Sequence, residues 1–153
     1  MRYLLVDRIE ELKRLEYAVA VKCISLADDV FEDHFPGQPV YPGALLIESM
    51  AQLGGALLEI SLREGRPRAP RCVLSAVKAK FRDFAKPGDA LRLRADVVSC
   101  HEDAALVRVA TTCGERRVCE AEITYVLLDV DDPKLDASRR ELLELLTREA
   151  VVR

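Results

Sequence analysis

The stretch Glu32–Gly55, EDHFPGQPVYPGALLIESMAQLGG, decides the fold of this chain. Its first half is rich in proline and glycine and therefore predicts a loop. Pro42 and Gly43 then open a long apolar segment, and proline is tolerated in the first turn of a helix because its missing N–H would have no partner there. The segment ends near Arg63, where EGRPRAP follows. We therefore predict one long helix over residues 43–63.

The predicted helix is apolar on nearly every side, which is typical of a helix that is buried all round. Its large apolar residues are Leu45, Leu46, Ile47, Met50, Leu53, Leu57, Leu58 and Ile60. A single sheet of five or six strands could cover only part of this surface. A second copy of the chain is the simplest cover for the rest, so we predict a homodimer and leave open whether dimers assemble further.

Strand patterns lie on both sides of the helix, at 3–9, 15–25, 71–82, 89–100, 104–112 and 116–129. Short turns join the last four, so we expect antiparallel neighbours. The tail has a leucine stripe that predicts an amphipathic helix over about 134–150. We divide the chain into one domain, 1–130, and a C-terminal helical extension, 131–153. We expect the extension to pack on the outer face of the sheet or on a neighbouring subunit.

The composition of the 153 residues excludes several classes of protein. A net charge of −3 argues against a nucleic-acid-binding protein. No uninterrupted apolar run reaches the roughly 20 residues of a membrane span, and the N-terminus lacks the pattern of a signal peptide. Five cysteines without a C-x-x-C pair indicate reduced thiols and a cytoplasmic location, and with two histidines no metal site is expected.

Positive charge is concentrated in residues 63–86, where eight basic and two acidic side chains give +6, which leaves −9 for the remainder. Such a segment is either a solvated face or a docking surface for an acidic partner. The candidate docking residues are Arg63, Arg66, Arg68, Arg71, Lys78, Lys80 and Arg82.

Four residues around the start of the helix form a candidate catalytic site. His34 lies in the loop, and Glu48 interrupts the apolar run of the helix, where a carboxylate needs a role or a partner. Gln52 is one turn beyond Glu48 and could hold its carboxylate. Gly43 stands at the helix N-terminus, where free N–H groups attract developing negative charge. A base, an acid and an oxyanion donor are the groups needed to remove a proton next to a carbonyl.

The motif HFPGQPVYPGALLIESMAQ resembles the FabZ-type 3-hydroxyacyl-[acyl-carrier-protein] dehydratases of fatty-acid synthesis. YLLVDRI and KFRDFAKPGDALRL resemble further family segments, so the resemblance covers about residues 3–127. It implies an α+β hotdog fold, in which a curved antiparallel sheet wraps around a long central helix. It also implies that His34 of one subunit works with Glu48 of the other while the Gly43 amide holds the thioester oxygen. The implied partner is acyl carrier protein, whose phosphopantetheine carries the substrate, and no further cofactor is implied.

The sequence departs from the family at several positions. Asp33 replaces the glycine that usually precedes the histidine, and its carboxylate would either increase the basicity of His34 or simply face water. Phe84 replaces a proline and could reshape the acyl channel. Tyr41 is interpreted as a channel residue or as packing only, and Glu59 as solvent-facing or capped by a partner.

Two other functions remain open from the residues alone. The first is an acyl-thioesterase on the same fold, although the intact HFPG loop argues against it. The second is a non-catalytic subunit that binds acyl groups or a carrier protein. Acyl-chain length and pathway do not follow from the sequence.

Overall fold

A seven-stranded sheet and two α-helices make up the computed structural model, which describes residues 3–153. The elements, in chain order, are β1 (Arg8–Lys13), β2 (Tyr17–Cys23), a short 3-10 helix (Asp29–Glu32), α1 (Gly43–Arg63), β3 (Arg71–Phe81), β4 (Ala90–Cys100), β5 (Ala104–Cys113), β6 (Arg116–Leu128), α2 (Pro133–Thr147) and β7 (Val151–Val152).

The strands follow the order β3-β6-β5-β4-β2-β1-β7 across the sheet. Neighbours from β3 to β1 are antiparallel, whereas β7 runs parallel to β1. Register shifts interrupt β1, β3, β4 and the β5–β6 pairing. Because a β-bulge bends its strand and increases the local twist, these shifts favour a sheet that curves around α1.

The central helix α1 packs against β2, β3, β4, β5 and β6. Its buried residues include Met50, Leu53, Leu57 and Leu58, each fully inaccessible to solvent, and these join the main hydrophobic core. By length and composition α1 could cross a membrane, but 67% of its most apolar window is buried inside the protomer. A core helix explains its apolar character, and the predicted antiparallel sheet around a long helix is confirmed.

The second helix, α2, begins where its sequence provides a cap. The Asp132 carboxylate accepts hydrogen bonds from the backbone N–H groups of Lys134 and Leu135, and Pro133 occupies the first turn. Leu143 and Leu146 are buried in the same core as α1. Our expectation that this helix would pack on the outer face of the sheet or on a neighbouring subunit is therefore wrong, because its leucines are covered within the protomer.

The predicted strands also need two corrections, one to a boundary and one to their number. The first strand is Arg8–Lys13 and not 3–9, because residues 3–7 run beside α1, where the Leu5 N–H donates to Gln52 Oε1 at 2.9 Å. The short β7 was not predicted, and its pairing with Glu11 and Leu12 makes the sheet mixed instead of purely antiparallel. A two-residue strand is too short to leave an alternating pattern in the sequence.

Within the described residues, β3 pairs on one side only, so it is an edge strand of 11 residues. Leu74, Val77 and Phe81 stand opposite the buried Tyr125, Ile123 and Cys119, and therefore belong to the inner face of the sheet. Their side chains are nevertheless 45%, 37% and 50% exposed. A long apolar edge strand is a template for pairing with another chain.

Candidate active site

The loop that carries His34 is held by backbone hydrogen bonds. The His34 N–H donates to the Val30 carbonyl, and the Val40 N–H donates to the His34 carbonyl, both at 3.1 Å. The imidazole Nδ1 lies 2.8 Å from the Val40 carbonyl oxygen. A carbonyl oxygen can only accept, so Nδ1 carries the proton and, in the neutral ring, Nε2 is left as a base.

His34, Tyr41 and Gly43 line one cavity of about 490 Å³. Its other walls come from the HFPG loop, the start of α1 and the end of β3: Phe35, Val40, Leu46, Phe81, Arg82, Asp83, Phe84 and Ala85. The cavity therefore joins the candidate base, the helix N-terminus and the Phe84 that replaces the proline of the related motif.

Gly43 is the first residue of α1, and the Phe81 ring lies directly against it. A Cβ atom at this position would stand 2.8 Å from the ring, so any larger residue would require Phe81 to move. Among residues 3–153, no acceptor takes the Gly43 N–H. This N–H and the positive end of the helix dipole are free to face a ligand.

The Tyr41 side chain is only 4% exposed, and its hydroxyl has no hydrogen-bond partner among the described residues. Burial raises the pKa of Tyr41 to about 12, so the phenol stays protonated at neutral pH. The Lys22 ammonium lies 5.6 Å from the centre of its ring. Tyr41 lines the His34 cavity and also packs in the core next to Phe31.

Glu48 is held by Gln52, one helical turn away, as its spacing predicted. Gln52 Nε2 donates to Glu48 Oε1 at 3.0 Å and to the Tyr3 carbonyl at 3.3 Å. The Gln52 carbonyl oxygen accepts from the Leu5 N–H. The amide is thus fixed from three sides, and it orients the half-buried carboxylate. The negative charge of Glu48 raises the pKa of the nearby Tyr3.

His34 and Glu48 do not meet within one protomer. Glu48 lines a second cavity, of about 480 Å³, which shares no residue with the cavity around His34. Glu48 lies five positions after Gly43 in α1, so the two residues stand about 140° apart around the helix axis. A site that uses both residues must therefore be completed by another chain.

The structure corrects part of the predicted docking surface. Arg71 is buried and pairs with Asp136 and Glu59, and Arg63 also pairs with Asp136. Arg68 forms ion pairs with Asp129 and Asp131. Arg63 and Arg71 join α1 and β3 to α2 through these ion pairs, so neither is free for a carrier protein. The sequence alone could not show which acids neutralise them.

The remaining basic candidates are accessible. Lys78 and Lys80 are exposed on β3, opposite Glu122 and Glu120 of β6, and Arg66 is exposed after α1. Arg82 lines the His34 cavity and pairs with Glu120 at 3.0 Å.

Sequence reasoning missed several contributors to the two cavities. The Val40 carbonyl, which fixes the tautomer of His34, is a backbone group and leaves no side-chain signal. Of the two predictions for Glu59, the capped one is confirmed, since it is 3% exposed and accepts from Arg139 at 3.0 Å, but the sequence did not identify Arg139 as the cap. These two residues are 80 positions apart, too far for a helical spacing rule to connect them.

Comparison with known proteins finds relatives along most of the chain. The FabA-like domain family matches residues 1–122. The 3-hydroxyacyl-[acyl-carrier-protein] dehydratase FabZ of Clostridium acetobutylicum is 42% identical over 127 residues, which cover 82% of this chain and 87% of the relative. The enzyme of the same name from Koribacter versatilis is 39% identical over 122 residues, which cover 79% and 77%.

Solved structures share the fold. A hypothetical thioesterase with coenzyme A from Streptococcus pneumoniae superimposes with a TM-score of 0.64 at 20% identity, over 82% of this chain and 88% of that one. The PaaI protein of E. coli gives 0.62 at 15% identity, over 78% and 81%. At this identity the likeness concerns the fold alone, and it confirms the predicted hotdog fold.

Proposed function

The chain belongs to the FabZ-type dehydratases of the FabA-like family, and we propose that it converts 3-hydroxyacyl-[acyl-carrier-protein] to trans-2-enoyl-[acyl-carrier-protein] with release of water. The observation that carries the catalytic part of the proposal is the hydrogen bond from His34 Nδ1 to the Val40 carbonyl. It leaves Nε2 as an unprotonated base on a residue that lines the same cavity as Gly43.

His34 Nε2 removes a proton from the carbon next to the thioester carbonyl. Negative charge then develops on the carbonyl oxygen, and the Gly43 N–H at the start of α1 stabilises it. Phe81 lies against Gly43 and gives this part of the cavity an apolar wall.

Glu48 of a second subunit supplies the acid. It delivers a proton to the 3-hydroxyl, directly or through one water, so that the C–O bond breaks and water leaves. The electron pair of the former C–H bond forms the double bond between the second and third carbons. Gln52 holds the Glu48 carboxylate in one orientation, which keeps the acid aligned with the leaving hydroxyl.

The shared site requires a dimer, and β3 supports one. This unpaired edge strand exposes Leu74, Val77 and Phe81 on the face that should be inside. Phe81 also lines the His34 cavity, so the surface that a second copy would cover is continuous with the site. Assembly of dimers into larger particles is not required by this arrangement.

The substrate arrives on the phosphopantetheine arm of an acyl carrier protein, and the proposed reaction uses acid–base chemistry without a metal or nucleotide. Arg82, which lines the His34 cavity, and Lys80, two residues before it on β3, are the basic residues best placed to contact an acidic carrier. We place this reaction, and therefore the protein, in the cytoplasm.

Of the two alternatives, the thioesterase would use Glu48 to activate water and would not need His34 at all. A non-catalytic binding subunit would need neither the fixed tautomer of His34 nor the orientation of Glu48 by Gln52. The observed hydrogen bonds favour the dehydratase over both.

Turnover of a 3-hydroxyacyl-carrier-protein thioester by wild type, His34→Ala and Glu48→Gln tests the proposal. Wild type should form the enoyl thioester, and each variant should lose about 10²–10⁴-fold in kcat with near-normal melting. Release of free acid would identify a thioesterase. Binding of the carrier without turnover by wild type would identify the non-catalytic subunit.

A further inference from the structure

The cavity that contains Glu48 extends along α1 well beyond the catalytic position. Its lining on α1 follows one helical face, from Glu48 through Ala51, Gln52, Gly55 and Ala56 to Glu59. Glu59 lies eleven positions after Glu48, which corresponds to about 16 Å along the helix axis. Small side chains at positions 51, 55 and 56 leave room beside the helix, and a Cβ atom at Gly55 would meet Cys72 and Tyr125 only at ordinary contact distances.

The C-terminal helix forms one wall of this cavity. Arg139, Leu142, Leu143 and Leu146 all line it, and their spacing places them on one face of α2. Leu143 and Leu146 are buried, whereas Leu142 is half-buried. Leu145, on the same helix, is 43% exposed and does not line the cavity. The extension therefore contributes directly to the space next to a proposed catalytic residue.

The far end of the cavity is ionic. The Glu59 carboxylate accepts two hydrogen bonds from Arg139, at 3.1 and 3.0 Å, and Arg71 lies between Glu59 and Asp136. Arg71 Nε and Nη1 are buried and have no hydrogen-bond partner among the described residues. A hydrocarbon chain that reached this end would remove water from the Glu59–Arg139 ion pair without offering a hydrogen-bond partner in return, which is unfavourable.

We propose that α2 and the Glu59–Arg139 ion pair form the end of the acyl pocket and limit the length of the acyl chain that the enzyme accepts. The inference rests on the proposed function, because the pocket starts at Glu48. A zigzag chain of 1.5 Å carbon–carbon bonds advances about 1.3 Å per bond, so about 16 Å holds roughly twelve bonds beyond the reacting carbons. The expected limit is an acyl group of about fifteen carbons.

Leu142 offers the sharpest test, because it lines the cavity but is not fully buried. Leu142→Ala should enlarge the pocket and Leu142→Phe should reduce it. Leu145→Ala and Leu145→Phe are matched controls, with the same substitutions on an exposed position of the same helix. Two series of rising chain length serve as probes: 3-hydroxyacyl-carrier-protein thioesters for kcat/KM, and unreactive acyl-pantetheine amides for the dissociation constant.

For the first chain length that wild type excludes, Leu142→Ala should raise kcat/KM at least about tenfold and tighten binding of the amide. Leu142→Phe should lower kcat/KM and weaken amide binding for the longest chains that wild type accepts. For short chains, neither substitution should change these values. The proposal is overturned if both Leu142 variants keep the wild-type length profile, or if the Leu145 variants shift it equally. Absence of turnover by every protein would instead refute the dehydratase assignment, while the amide series would still report where the pocket ends.

Discussion

His34 Nδ1 lies 2.8 Å from the carbonyl oxygen of Val40, so the backbone of the loop determines which nitrogen of the imidazole carries the proton. We expect the neutral His34 ring to be protonated at Nδ1 and unprotonated at Nε2. Two-dimensional ¹⁵N–¹H correlation of the ring nitrogens, with His34→Ala to assign the signals and His101 as an exposed reference, measures the tautomer directly. A dominant Nε2–H tautomer would remove the base from the proposed mechanism.

The Gln52 amide is predicted to act through Glu48. Gln52→Ala removes the hydrogen bond that orients the carboxylate, so kcat should fall roughly tenfold, the equivalent of one hydrogen bond of about 1.4 kcal/mol. KM should change less than kcat, because the residues proposed for docking, Lys80 and Arg82, lie at the end of β3. Ser49→Ala is the matched control, since the Ser49 hydroxyl donates to the Leu45 carbonyl of its own helix and makes no hydrogen bond with Gln52 or Glu48 among the described residues. Equal losses of kcat in both variants would indicate general damage to α1.

Carrier-protein docking is expected to depend on Lys80 and Arg82. Lys80→Gln together with Arg82→Gln should raise KM for carrier-protein thioesters several-fold at low salt, and the effect should shrink as salt screens the charges. Thioesters of pantetheine alone should be unaffected. Lys13→Gln, on the distant strand β1, is the control. If KM rises as much for pantetheine thioesters as for carrier-protein thioesters, the two residues affect the active site and not carrier docking.

We predict that α2 is held less firmly against α1 and β3 at low pH, because protonated Asp136 no longer pairs with Arg63 and Arg71. Burial alone would raise the pKa of Asp136, but the adjacent Arg63 and Arg71 guanidiniums outweigh it and hold the pKa below its usual value of 3.8. The unfolded chain therefore binds the proton more readily than the folded one, so this contribution to stability is present above about pH 4 and is lost as the pH falls below it.

Asp136→Asn should accordingly melt lower than wild type at neutral pH, and the difference should narrow towards about pH 3. Glu141→Gln, an exposed carboxylate on the same helix, should follow wild type throughout. Thermal unfolding followed by circular dichroism across this range measures the effect. A difference that is constant with pH would mean that the Asp136 charge does not stabilise the attachment.

The parts of the fold that came from local patterns were predictable. Proline and glycine at 42–43 and the apolar run after them gave the bounds of α1, and the alternation in residues 71–129 gave four strands nearly to the residue. The failures concern contacts between distant segments. Residues 3–7 looked like a strand, but Gln52 binds their backbone beside α1, and β7 exists only because β1 offers it a partner.

In the site as well, local features could be predicted and contacts between distant segments could not. Glu48 and Gln52 are one helical turn apart, so their hydrogen bond followed from spacing alone. By contrast, the pairing of Arg63 and Arg71 with Asp136 depends on how α2 packs, and a count of charges along the sequence could not separate buried ion pairs from free cations. The predicted docking surface was too large for this reason.

The most direct test of the account is complementation between two inactive variants, because the central claim is that each site takes His34 from one subunit and Glu48 from the other. His34→Ala and Glu48→Gln are mixed under conditions that allow subunits to exchange, and light scattering should give twice the 17.1 kDa of one chain. Random exchange makes half of the dimers mixed, and each mixed dimer has one intact site of two, so activity should recover to about a quarter of wild type. If folded, exchanged dimers remain as inactive as either variant alone, the site is not shared between subunits and the proposed mechanism is wrong.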